Sequence, residues 1–256
     1  MAAIRTLSKA LPYPLGKIRH GRHSAAAATA KAGMGAIPHD KGVAFRVWAP
    51  HADAVSVVGT FNNWDKGKHP LTRENPEGYW YADVPAAKVG DEYRFALQTP
   101  WGELSKIDPY AREVTNSVGN GVVHDPHFDW GEKYLPTPPW NEWVIYELHV
   151  GTFHDSNPDS DQPGTFRDIV RKFDHLKTLG VNCLQVMPVA EFAGDRSWGY
   201  NPAHMFAVES AYGGPKAFKE FVREAHRHGF AVILDVVYNH FGPSDLDLWR
   251  FDGWSE

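Results

Sequence analysis

From Trp143 to Tyr238 the chain alternates strand-like and helix-like segments, and this alternation restricts the fold more than any other feature. Val144-Ile145-Tyr146 opens an apolar strand expected to be buried; Val181 to Met187 reads as a second strand and Phe230 to Val237 as a third. Between the first two, Phe166, Ile169, Val170, Phe173, Leu176 and Leu179 form one apolar helical stripe. Phe218, Phe221, Val222 and Ala225 mark a second helix before the third strand. Thr165 with Asp168 three residues on is a helix start, and Gly180 and Gly229 are helix stops. Strand, helix, strand, helix, strand implies a parallel sheet with right-handed crossovers. The periodicity leaves a doubly wound sheet and a (β/α)8 barrel equally open.

Residues 42 to 125 follow a different period. Val43, Phe45, Val47 and Ala49 alternate with Ala44, Arg46 and Trp48, and further short runs lie at Ala54 to Thr60, Tyr79 to Val84 and Asp91 to Gln98. Pro, Gly, Asn and Asp punctuate them, which is the spacing of a β-sandwich. The expected organisation is a basic leader over residues 1–36, a sandwich over 37–130, a proline-rich linker over 131–140 and an α/β region over 141–256.

Composition narrows the function classes. A net charge of −5 speaks against a nucleic-acid partner, and no apolar run of about 18 residues offers a membrane span. The single cysteine, Cys183, falls inside a predicted core strand, so no disulfide framework exists. A cytoplasmic location is the default expectation, although the leader has no acidic residue before Asp40 and shares that trait with organelle transit peptides. Ten Trp, ten Tyr and 14 Phe are many for 256 residues. Most belong to cores, but aromatic planes in loops also stack on the apolar faces of sugar rings.

Parallel α/β proteins place chemistry beyond the carboxyl ends of their strands. Two clusters fit that rule: Asp235, Asn239 and His240 after the third strand, and Glu191, Asp195, Arg196, Trp198 and Tyr200 in a long loop after Met187. Both lie on the strand-end side and are expected to face one pocket. A third candidate, Phe61-Asn62-Asn63-Trp64, is a turn that projects an indole outward. No phosphate-binding glycine loop, nucleophile elbow or cysteine-pair metal site is present in the sequence.

These residues carry a resemblance. Asp235-Val236-Val237-Tyr238-Asn239-His240, and Met187-Pro188-Val189-Ala190-Glu191-Phe192 followed by Ser197-Trp198-Gly199-Tyr200, resemble glycoside hydrolase family 13, the α-amylase superfamily, of the 1,4-α-glucan branching type. Val43 to Trp64, with Tyr93-Arg94-Phe95, resembles the family 48 carbohydrate-binding module that precedes such barrels. The resemblance implies an immunoglobulin-like sandwich followed by the first three βα units of a (β/α)8 barrel, acting on an α-glucan without a cofactor. It implies that Tyr200 stacks on the sugar on the non-reducing side of the cleaved bond and that His240 hydrogen-bonds the same sugar. Trp198 joins them in binding substrate. Asp235 would orient an arginine near the nucleophile, and Asn239 matches a calcium ligand of true amylases. In the module, Trp64 and Trp101 match stacking platforms and Arg94 stands where a lysine often lies.

Retaining glycosidases need two carboxyl groups about 5 to 5.5 Å apart. The family places both on later barrel strands, so the nucleophile and the general acid are expected beyond Glu256, the last residue of the sequence. Glu147, Glu191 and Asp235 match neither. The sequence is therefore expected to be a C-terminally truncated, inactive fragment of an α-glucan-active enzyme. Two other readings share its features: a glucan-binding scaffold with a vestigial barrel, and a maltooligosyl trehalose trehalohydrolase.

Overall fold

The computed structural model describes residues 30–131, 138–243, 246 and 248–255. Most of the basic leader, residues 132–137 of the linker, and Glu256 lie outside the described residues. From Lys31 onward the chain forms one compact unit.

Its first part is a sandwich of two antiparallel sheets. β1 (Gly35–His39), β2 (Gly42–Trp48), β4 (Thr72–Arg73) and β5 (Tyr79–Val84) form one sheet in the order β1-β2-β5-β4. β3 (Ala54–Gly59), β6 (Glu92–Thr99) and β7 (Gly102–Lys106) form the other, with β8 (Gly121–Val122) also paired to β6. The alternation decides which side chains meet between the sheets, since successive residues of a strand point to opposite faces. Val43, Phe45 and Val47 from β2 meet Val55 and Val57 from β3 and Tyr93, Phe95 and Leu97 from β6 in one buried cluster. Among these, Tyr93 carries a polar tip into the core and donates from its hydroxyl to Asp108 Oδ2 at 2.7 Å. The same carboxylate accepts from the Tyr110 backbone N–H at 2.9 Å.

β9 (Ile145–Leu148), β10 (Cys183–Val186) and β13 (Ala231–Leu234) form a parallel sheet with β10 in the centre. The first crossover holds three short helices, α1 (Val150–Phe153), α2 (Phe166–Val170) and α3 (Phe173–Thr178). The second holds a hairpin, β11 (Ala190–Phe192) and β12 (Pro202–Val208), and then α4 (Gly214–Arg227). This settles the architecture that periodicity left open. Phe166 of α2 lies 5.1 Å from Phe218 and 5.7 Å from Phe221 of α4, so both crossovers pack on the same face of the sheet. Strands in consecutive order with all helices on one face form the wall of a (β/α)8 barrel; a doubly wound sheet would divide its helices between two faces.

Several details differ from expectation. The helix from Thr165 is two helices, because Lys172 N bonds to Ile169 O at 2.8 Å in a tightened turn. The bend keeps both Phe166–Ile169 and Phe173–Leu176 on the core, and Leu179, assigned to the apolar stripe, is 56% exposed past the helix end. The capping pair is present, with Thr165 N donating to Asp168 Oδ2 at 2.9 Å. The first parallel strand is not uniformly buried. Tyr146 and Leu148 pack on the helices, whereas Ile145 and Glu147 occupy the opposite, open face, where Gln185 Nε2 donates to Glu147 Oε2 at 2.6 Å. The long loop after Met187 is folded into the antiparallel β11–β12 ribbon.

Two further seams tie the parts of the unit together. Phe251 packs against the sandwich core, and Asp252 Oδ2 accepts from the His51 backbone N–H at 2.9 Å. On α4, Lys219 and Arg223 lie over the Phe128 ring, and Arg223 donates to the Asp129 carbonyl at 3.0 Å.

Burial lifts the Asp108 carboxyl to about 6, against the opposing pull of the Tyr93 hydrogen bond. Tyr93→Phe removes a donor and leaves a buried acceptor short of a partner, a loss of about 1–3 kcal/mol. Denaturant unfolding will show that loss, and the Asp108 titration will move further up; an unchanged unfolding midpoint would refute the assignment.

Candidate functional site

The site begins with strand register. Val186 lies opposite Leu148 on one side and Leu234 on the other, so all three parallel strands end level. The ladder runs one residue further, with Met187 N bonded to Leu148 O at 3.0 Å and Asp235 N bonded to Val186 O at 2.9 Å. His149, Met187 and Asp235 therefore stand side by side at the carboxyl ends.

The β11–β12 ribbon delivers the second cluster to this edge. Gly199 has φ +85, and a Cβ there would sit 2.3 Å from the Pro188 carbonyl oxygen. That close approach needs glycine, and it fixes the chain between Trp198 and Tyr200. Tyr200 turns in and donates from its hydroxyl to Asp235 Oδ2 at 2.8 Å. The bond raises the Tyr200 hydroxyl above its ordinary pKa, because ionising the phenol would break it beside a carboxylate. Beside the pair runs a cleft of about 240 Å³, lined by Pro188, Val189, Asp235, Val237 and Tyr238 among others.

Trp198 turns the other way and is 71% exposed. With Asp195 and Arg196 it lines a separate cleft of about 480 Å³ against the loop after β9. So the two expected clusters meet, but only through Tyr200 and Asp235. Asn239 and His240 are exposed, and Asn239 Nδ2 lies 3.3 Å from His240 Nε2. Among the described residues no group of three or more His, Cys, Asp or Glu side chains could hold a metal ion. Asn239 stands exposed beside His240, outside any such group among the described residues. Among the described residues the strand ends bring together Tyr200, Asp235 and their neighbours.

Glu191 is displaced from the expected pocket. It is buried beside Glu209, a residue that sequence reasoning missed. The two clasp each other's neighbours: Glu191 Oε2 accepts from Ser210 N at 2.7 Å, and Glu209 Oε2 accepts from Phe192 N at 3.2 Å. This clasp closes the ribbon that presents Trp198 and Tyr200. His149 and Tyr212 were also missed. His149 Nε2 lies 2.8 Å from the Ser197 carbonyl and 2.9 Å from the Tyr212 hydroxyl, which fixes the floor of the larger cleft. His149 follows Leu148 at a strand end, so the rule that picked out Asp235 applies to it equally.

In the sandwich, Asn63 and Trp64 both adopt left-handed backbone conformations, φ 55 and 61, and Trp64 is 38% exposed. Asn62 makes that turn possible from beneath, accepting from Gly59 N at 2.9 Å and donating to Val57 O at 3.1 Å. Trp101 is 57% exposed in the β6–β7 hairpin. A Lys66–Glu103 ion pair ties the Trp64 loop to β7 just past that hairpin. Arg94 is engaged from the side, donating to Ser105 Oγ at 3.1 Å and to the Ser105 carbonyl at 3.0 Å.

Two family models match in tandem: carbohydrate-binding module 48 (isoamylase N-terminal domain) over residues 33–111, and the alpha amylase catalytic domain over residues 148–248. By that match, residues 148–248 are α-amylase-like. The second match spans Tyr200, Asp235 and His240, and the first spans Trp64, Arg94 and Trp101.

The chain is 40% identical to a 1,4-alpha-glucan branching enzyme GlgB of Picrophilus torridus, aligning 83% of this chain with 30% of that one. It is 36% identical to a malto-oligosyltrehalose trehalohydrolase of Saccharolobus solfataricus, aligning 80% of this chain with 34% of that one. Among solved structures it is similar to the catalytic module of the pneumococcal glycogen-degrading virulence factor SpuA, with TM-score 0.71 and 26% identity over 86% of this chain and 39% of that one. The chain spans about a third of the length of the curated relatives it matches.

The carboxylate clasp gives this chain a pH signature. Burial, and next the Glu209 charge, push Glu191 from 4.5 to about 8, and burial pushes Glu209 to about 7. Between about pH 5 and 8 the unfolded chain sheds protons that the fold retains, so stability falls as pH rises. The melting temperature will drop across that window. Glu191→Gln will flatten the slope and melt above the parent at pH 8; parallel slopes for the two proteins would exclude the clasp as its origin.

Proposed function

We propose that the chain forms the sugar-binding side of an α-glucan-active enzyme of the 1,4-α-glucan branching type, with a glucan-binding module before it. The observation that carries this reading is the Tyr200–Asp235 hydrogen bond. It joins two motifs far apart in sequence at a barrel strand end, where parallel α/β folds bind substrate. Holding the phenol by its oxygen fixes the ring plane and leaves the ring face for the apolar side of a pyranose. His240, exposed beyond the third strand, is a hydrogen-bonding partner for the same sugar's hydroxyls. Asp235, already anchored by Tyr200, acts as a positioning residue rather than as nucleophile or acid.

In the module, Trp64 and Trp101 are the stacking platforms. Arg94 serves chiefly to brace β6 on β7, given its bonds to Ser105. The ligand is an α-glucan such as glycogen, a starch-like polymer or a maltooligosaccharide. The trehalohydrolase reading stands beside the branching one because the relative of that name is nearly as similar as the branching enzyme.

Calorimetric titration of the chain with maltohexaose tests the proposal in a background carrying Trp64→Ala, so that the module does not mask the site. Tyr200→Ala will weaken binding about tenfold, or about 1.4 kcal/mol. Tyr200→Phe, which keeps the ring but not its anchor, will fall between. Equal affinities for all three would remove the basis of the assignment. Separately, Trp64→Ala alone will weaken retention on immobilised glycogen, and undiminished retention would exclude Trp64 as a platform.

A further inference from the structure

Residues 249–254, which follow the loop after β13, lie along the sandwich as a strap and reach one of its two proposed platforms. Gly253 faces the Trp101 ring: a Cβ there would meet Trp101 Cε3 at 2.9 Å and Thr99 Oγ1 at 3.3 Å. Its φ of +87 also lies in the left-handed region that favours glycine. Two separate constraints thus require glycine where the strap passes Trp101. The ring keeps more than half of its surface in water, so the contact backs the indole without covering it.

The strap is fastened on both sides of that point. Lys106 Nζ donates to the Trp249 carbonyl at 3.1 Å, and Phe251 packs against the sandwich core. Arg250 adopts a left-handed conformation, φ 47, and Gly253 N bonds back to Arg250 O at 2.9 Å, which folds the strap into a tight turn. The buried Asp252 carboxylate accepts from the His51 backbone N–H, and its Oδ2 lies 2.9 Å from His51 Nδ1. Trp254 then stacks on the His51 ring at 4.6 Å. The hairpin that carries Trp101 is braced from within as well. Thr99 Oγ1 accepts from Trp101 N at 3.1 Å and donates to the Gly102 carbonyl at 2.8 Å.

A seam that only joined two parts of the chain would have no need to touch an exposed indole. A Trp at a hairpin tip loses rotamer freedom when a sugar stacks on it, and that loss weakens binding. A wall that already restricts the ring removes the cost before the ligand arrives. We propose that the strap is the back wall of the Trp101 platform, with Gly253 and Asp252 as positioning residues for α-glucan held by the module. The inference rests on the reading of Trp101 as a platform. It adds that the platform is composite, its ring supplied by the sandwich and its backing by the α/β region.

The test is calorimetric titration of the full 256-residue chain with maltohexaose, in a Tyr200→Ala background that leaves the module to report. Gly253→Ala is expected to weaken binding about fivefold, the order of one side chain's rotamer freedom. It is also expected to move the Trp101 ¹⁹F signal of 5-fluorotryptophan-labelled protein before sugar is added, that signal being assigned by Trp101→Phe. His51→Ala, which loosens the Asp252 and Trp254 anchors without straining Gly253, is expected to do both to a smaller degree. If Gly253→Ala does not fold, His51→Ala decides alone. Combined with Trp101→Ala, neither strap change is expected to weaken binding further, whereas general support of the module would still be lost. Strap variants that cost the same affinity with and without the ring overturn the composite platform and leave the Trp101 reading standing. So do strap variants that bind as the parent while Trp101→Ala binds more weakly. If Trp101→Ala itself binds as the parent, both readings fall.

Discussion

The level register of three parallel strands is the constraint on which the rest depends. Because Leu148, Val186 and Leu234 lie opposite one another, the first residue beyond each strand falls on one line. A slip of one residue in any strand would turn its side chains to the opposite face. Asp235 would then face the helices rather than Tyr200. The register is set in turn by Leu184, Val186 and Leu148, which pack against Phe166, Phe173 and Phe221 on the helical side. Burial of aromatic surface in the helical layer thus fixes the position of polar groups at the strand ends.

The ribbon inserted after β10 adds a second level of control. A loop long enough to carry Trp198 and Tyr200 would lose much conformational entropy if held by turns alone. Here it is held by the Gly199–Pro188 contact, by the reciprocal bonds of Glu191 and Glu209, and by His149 and Tyr212 at its root. Burying two carboxylates together is unfavourable unless at least one stays protonated. The raised pKa of both groups is the expression of that cost.

The sandwich is joined to the barrel wall rather than merely preceding it. Tyr110 stacks on Phe206 of β12 at 5.2 Å, His204 Nε2 lies 3.0 Å from the Ser117 carbonyl, and Ala207 shares a small buried cluster with Ile107, Ala111 and Val114. The strand that backs the ribbon is therefore clamped between its hairpin partner and the sandwich. Any displacement of the sandwich would be felt at β12 and, through Glu191 and Glu209, at the loop bearing Tyr200.

The sequence by itself determined the periods, and with them the two kinds of sheet. Alternation at Val43, Phe45 and Val47 is legible because a strand exposes every second residue to one environment. The stripe through Phe166, Ile169 and Phe173 is legible because a helix returns to the same face every three to four residues. Polar residues at Asp235 and Tyr200 could be picked out because they interrupt or follow apolar runs. Tertiary structure alone decided what those residues meet. Periodicity is blind to contacts between segments, so it could not choose barrel over doubly wound sheet until Phe166 was found against Phe218. It also could not distinguish Glu191, folded inward onto Ser210, from Asp195, left in water. Both are acidic residues of one loop, and their different fates follow from long-range packing that brings Glu209 and Ser210 beneath only one of them.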